Sequence, residues 1–147
     1  WCSEVKLHSE WRGFVWGGQL NCLCQYYHPL WFSCLLEEGI AEHVGRDVQA
    51  FFAEHVRPVV VKAGLERCIV DFAWLAPGRV LVVEINPFDG VLGSFPVSTG
   101  LFQWDCEADR AVMQSGPFEV RVRRELLSLH ETKDRMNPDW RRIIFGA

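Results

Sequence analysis

Two carboxylates and an amide lie where turn chemistry would gather them. Asp71 sits in the middle of the run C-I-V-D-F-A-W-L (residues 68–75), and Glu84 and Asn86 sit within and just past V-L-V-V-E-I (residues 80–85). The residues between, Ala76-Pro77-Gly78-Arg79, form a turn sequence. A hairpin closed there pairs Leu75 with Val80 and sets Asp71 opposite Glu84. Period two places Val80, Val82, Glu84 and Asn86 on one face of the second strand. Carboxylate and amide oxygens are hard ligands that suit Mg²⁺, which keeps part of its water and takes further oxygens from phosphates. A cation between the acids would also remove their mutual repulsion. Two solvated carboxylates beside an ordinary Asn-Pro turn, or a protonated or salt-bridged pair, fit the same pattern.

Arg12 is the second chemical candidate. It stands among aromatics in E-W-R-G-F-V-W (residues 10–16), and its planar fork matches a phosphate or a carboxylate. A surface arginine stacked on Phe14 or Trp16, or one paired with Glu10 on the same face, is equally compatible. Lys6 and Lys62 are further phosphate candidates. Other chemistry is weakly supported. No G-x-G-x-x-G, Walker-type, G-x-S-x-G or H-E-x-x-H pattern occurs. Cys22 and Cys24 lack the second pair that a zinc site needs. Nothing orients Cys24 and His28 as a nucleophilic pair. The six cysteines read as free thiols in a reducing compartment.

The elements that must position these residues follow from periodicity. Residues 10–16 and 20–26 form a hairpin around Gly17-Gly18, with Trp11, Gly13 and Val15 on one face and Arg12, Phe14 and Trp16 on the other. Residues 30–56 carry a helical period through Leu36, Ile40, Val44, Val48, Phe52 and Val56, with Pro58 closing the helix, Gly39 or Gly45 as a break, Asp47 on the polar side and His55 in the core. Residues 108–114 suit a short helix. Residues 117–123 alternate as a strand, and residues 1–7 alternate roughly like one. The order ββ–α–ββ–loop–β–tail predicts an α+β fold, a mostly antiparallel sheet covered on one side by one long helix. Residues 1–124 form the body, and 125–147 form a tail ending in the apolar patch Ile143-Ile144-Phe145.

The bulk properties bound the function. At 147 residues and 49% hydrophobic the chain suits one folded domain. A net charge of -4 disfavours a general nucleic-acid binder. No window of about 18 residues is apolar throughout, so a membrane span is not expected. The chain begins at Trp1 rather than Met, which fits a piece of a longer protein.

Residues 69–88 (I-V-D-F-A-W-L-A-P-G-R-V-L-V-V-E-I-N-P-F) and 101–104 (L-F-Q-W) resemble the signature of the cell division cycle protein 123 family. That family shows V-D-V, a short turn, W-L-I-D-F-N-P-F and then L-L-F-x-W. Residues 10–27 are similar to its E-F-R-x-F-V … L-x-x-I-S-Q-R-D-Y, shortened here to Gln25-Tyr26-Tyr27. The resemblance implies the C-terminal lobe of an ATP-grasp fold, with ATP and Mg²⁺ as cofactors. It implies Asp71, Glu84 and Asn86 as metal ligands and Arg12 at the terminal phosphates. It further implies a cytoplasmic assembly factor whose partner is the gamma subunit of translation initiation factor 2. Activity would need an N-terminal lobe that has no counterpart in these residues. A carboxylate ligase of the ATP-grasp type is the enzymatic alternative. A protein-binding module using Trp11, Trp16, Trp31, Trp104 and Trp140 is the non-catalytic one, and a fragment unable to fold alone is the third.

Overall fold

The computed structural model describes residues 3–88, 98–134 and 141–142. Two hairpins supply the framework. Strand β1 (Glu10–Trp16) turns through Gly17 and Gly18, both at positive φ, into β2 (Gln19–Gln25). Strand β3 (Cys68–Ala76) turns through Pro77 and Gly78 into β4 (Arg79–Pro87), with Gly78 at φ 71°. Proline fixes the first turn position and glycine accepts the second. The hairpins dock with β1 antiparallel to β3, and a short strand β5 (Glu119–Arg121) adds parallel to β2. The sheet order is β4-β3-β1-β2-β5. The expected α+β architecture is therefore present, in a mixed sheet.

Helix α1 (Ile40–Phe51) runs through a π-turn (Phe52–Val56) into α2 (Arg57–Lys62). Val44, Val48, Phe52, Val56 and Val60 bury against Trp11, Leu23, Val70 and Phe72. Three expectations are corrected here. The helix begins at Ile40 rather than near residue 30, because Gly39 stands at φ 77°, a left-handed conformation outside the helix. It also continues past Pro58. In a regular helix residue 58 would donate to Glu54, which proline cannot do; the wider π-turn, in which the Arg57 amide reaches Phe52, takes up the ring. His55 is half-exposed beside Glu54 and is not a core histidine.

The long helix covers one face as expected, and a short helix covers the other. Helix α3 (Glu107–Ser115) inserts Met113 beside Phe14, Cys22, Cys24, Ile69, Phe88 and Phe102. A short helix α4 (Leu129–Asp134) follows β5. Of the alternating run 1–7, residues 3–6 form no strand and Leu7 opens a 3₁₀ turn (Leu7–Ser9). The patch Ile143-Ile144-Phe145 and most of the loop after Phe88 lie outside the described residues. Among the described residues no helix is long and apolar enough to cross a membrane.

Candidate functional site

The site residues stand on the face away from α1. Asp71 pairs with Glu84 on β4 and with Arg12 on β1, and Arg12 pairs with Cys24 on β2. Glu84, Asp71, Arg12 and Cys24 thus make one row across four strands. The neighbouring row is Asn86, Ile69, Phe14 and Cys22. Ile69, Phe14 and Cys22 are fully buried, so the charged row is walled on one side by hydrocarbon.

The opposition of Asp71 and Glu84 arises by a less direct route than a simple hairpin. Trp74, not Leu75, pairs with Val80, because Leu75 is an extra residue on β3. Val83 is then extra on β4, and the two irregularities cancel just before Asp71. The second one switches the face of β4. Val80 joins the core under α1, whereas Glu84 and Asn86 share the face of Asp71. The expectation that Val80, Val82, Glu84 and Asn86 share a face is corrected accordingly.

Arg12 grips Asp71 with both arms of its fork. Its Nε donates to Oδ1 at 2.8 Å and its Nη2 to Oδ2 at 2.8 Å. Nη1 donates to the Ser98 carbonyl at 2.9 Å, and the guanidinium stacks on the Tyr26 ring 4.7 Å from its centroid. Arg12 is 8% exposed and Asp71 1%. Burial, the largest influence, pushes the Asp71 carboxyl up and Glu84 adds to this, while Arg12 pulls it down. Burial also works against the Arg12 charge, but Asp71 more than offsets it and holds the guanidinium above its ordinary range. The bidentate geometry at 2.8 Å is that of an ion pair. Arg12 therefore pairs with Asp71 and not with Glu10, whose carboxylate is buried and accepts a 3.4 Å hydrogen bond from the Tyr27 hydroxyl.

Asn86 completes the cluster: its Nδ2 lies 3.5 Å from Asp71 Oδ2. Glu84 is exposed at the rim. The donor set is chemically suited to Mg²⁺, since two carboxylates and an amide on one face offer hard oxygens. It remains a two-carboxylate set, and among the described residues no group of three or more His, Cys, Asp or Glu gathers for a metal. Lys6 is exposed before β1, and Lys62 is exposed on α2, across the sheet from the cluster.

Of the tryptophans offered as a binding surface, Trp11 is fully buried in the core. Trp16 and Trp104 pack beside Phe88, and Trp31 is 39% exposed. Trp140 lies outside the described residues. Sequence reasoning missed Tyr26 as the platform under Arg12. It also missed Asp47 of α1, which accepts from Trp74 Nε1 at 2.7 Å and from the Gly78 amide at 2.8 Å and so clasps the β3–β4 hairpin. No local signal marks the Asp47 contact, which crosses between elements distant in sequence, whereas Tyr26 lies two residues beyond Cys24, the partner of Arg12, so the hairpin register places it diagonally beside Arg12.

A family model described as an ATP-grasp domain, the third family of its clade, matches residues 1–111. No curated protein matches the chain. Among solved structures, C-terminally truncated Cdc123 from Schizosaccharomyces pombe superposes with a TM-score of 0.56 at 19% identity, over 85% of this chain and 43% of that one. Cdc123 from the same organism gives 0.51 at 19% identity, over 85% and 44%. At that identity the likeness is one of fold. The chain spans less than half the length of these two structures.

Proposed function

This chain belongs to that family of ATP-grasp domains, and on that premise we propose that it is one lobe of a nucleotide clamp that binds Mg²⁺ and ATP on the face carrying Asp71. Asp71, Glu84 and Asn86 would hold the metal, and Arg12 would serve the terminal phosphates. The observation that supports this reading is the cross-strand opposition of Asp71 and Glu84 with Asn86 on the same face. A bound Mg²⁺ would neutralise phosphate charge and align the transferring phosphoryl group. The residues of this lobe orient and charge-match, and the buried row of Phe14 and Ile69 keeps water from one side. The chemistry in keeping with this arrangement is phosphoryl transfer to a carboxylate acceptor, as in ATP-grasp ligases.

The resemblance to the cell division cycle protein 123 family extends the proposal to a role as an assembly factor, with the gamma subunit of translation initiation factor 2 as partner. A cytoplasmic setting accords with the free cysteines at 22, 24, 34, 68 and 106. Calorimetric titration of the full-length protein with Mg·ATP tests the reading. Binding is expected in the wild type and a loss of at least about tenfold in Asp71→Ala and Glu84→Ala, in line with the loss of a charged ligand. No binding by the wild type, or equal binding by both variants, would overturn it.

A further inference from the structure

Arg12 carries two roles that its geometry does not allow at once. Its Nε and Nη2 are spent on Asp71, its Nη1 on the Ser98 carbonyl, and one face of the guanidinium on Tyr26. Both oxygens of Asp71 accept from the same fork. Resting on the nucleotide reading above, we propose that Arg12 is an internal counter-ion that a divalent cation must displace from Asp71, and that the phosphates of the incoming nucleotide then receive the displaced guanidinium.

The physical reason is the burial of the pair. Arg12 is 8% exposed and Asp71 1%. Taking either charge from its partner without replacement leaves a buried ion uncompensated, which is strongly unfavourable. A cation arriving alone repairs Asp71 and strands Arg12. A phosphate arriving alone repairs Arg12 and strands Asp71. Metal and phosphate together repair both, and a guanidinium fork donates in pairs to a phosphate as it does to a carboxylate. Glu84 and Asn86 are outside the fork's grip, so they supply metal oxygens at either stage, and the exchange turns on Asp71 alone. The consequence is linked binding: bare metal binds weakly, and metal binds well only with its phosphate. Arg12 is in this sense a positioning residue for Asp71 as well as a phosphate contact.

Two measurements test the exchange. The first follows the Arg12 Nε–H resonance by ¹⁵N NMR in the full-length wild type, identified by its loss in Arg12→Gln. It should move on saturation with Mg·ATP and stay in place with Mg²⁺ alone at the same concentration. The second follows bare Mn²⁺ by electron paramagnetic resonance. Arg12→Gln, which frees Asp71, should bind Mn²⁺ about tenfold more tightly than the wild type, the effect of removing an adjacent guanidinium from a carboxylate. An Arg12 signal unmoved by bound Mg·ATP, or no gain in Mn²⁺ affinity in a folded Arg12→Gln, overturns the exchange and leaves the nucleotide reading standing. Should Arg12→Gln not fold, Arg12→Lys, which keeps the charge and lacks the Nε–H, supplies the assignment, and the wild-type resonance decides. Failure of the wild type to bind Mg·ATP at all overturns both.

Discussion

The guanidinium of Arg12 and the carboxylate of Asp71, 59 residues apart in sequence, form a bidentate pair with both contacts at 2.8 Å. The pair is buried between a row of fully buried apolar side chains and the rim at Glu84. Removing one partner leaves the other charged and unmatched. Arg12→Met and Asp71→Leu should each destabilise the fold by about 3–5 kcal/mol. The double variant should cost far less than the sum, because hydrocarbon replaces both ions. Urea unfolding of the four proteins measures this. Additive losses would show that the pair is not coupled.

Asp47 joins α1 to the β3–β4 hairpin through Trp74 and Gly78. Asp47→Ala should cost about 1–2 kcal/mol, with two donors left to find water. Burial acts to raise this carboxyl, but the Trp74 and Gly78 hydrogen bonds, with His43 and Arg46, outweigh it and hold it below its ordinary value of 3.8. Its contribution is therefore complete above that value and drains as pH falls through the lower folded value. The wild type should lose stability more steeply than Asp47→Ala over that acid range in chemical denaturation. Parallel acid limbs would count against the assignment.

Gly45 lies inside α1 against β5. A Cβ there would meet Val120 Cγ2 at 2.6 Å and Phe118 Cε1 at 3.2 Å. In an isolated helix, Gly→Ala gains about 0.8–1 kcal/mol. Here the overlap, an overpacking cost of about 1–3 kcal/mol, should outweigh that gain, and Gly45→Ala should be destabilising by up to about 2 kcal/mol net. A higher melting temperature for Gly45→Ala would show that β5 yields freely.

The thiols should separate by environment. Burial pushes Cys24 and Cys68 up to about 11, and moves Cys22 in the same direction. At a pH of about 8, a thiol at that value is roughly one part in a thousand thiolate. Cys106 is exposed and Cys34 partly so. Iodoacetamide at that pH, read by peptide mass spectrometry, should label Cys106 first and Cys24 and Cys68 only on unfolding. Equal rates for Cys24 and Cys106 in the folded protein would contradict the packing of Cys24 beneath Gly100.

Much of the frame was legible because it is written in short-range chemistry. Gly17-Gly18 and Pro77-Gly78 announce their turns, and the three- and four-residue spacing of Val44, Val48, Phe52 and Val56 announces the buried stripe of the helix. Pro58 misled, because a proline ends a regular helix but not one that widens into a π-turn first. The aromatics misled for a similar reason: Trp11 and Trp31 look alike in a sequence, and only the packing of α1 over β1 buries one of them.

The sequence by itself determined the two hairpins; a simple hairpin count also sets Asp71 opposite Glu84, but only because the extra residues Leu75 and Val83 cancel. Turn residues and strand period act over a few positions and need no knowledge of the rest of the chain. Tertiary structure alone decided what Asp71 faces on its other side. That depends on which strand docks beside β3, and the antiparallel meeting of β1 and β3 brings Arg12 into register with it. It also decided the face of Glu84, through an extra residue at Val83 that no local rule marks. A one-residue slip reverses every side chain beyond it, so the composition of the site rests on a register that only the assembled sheet sets.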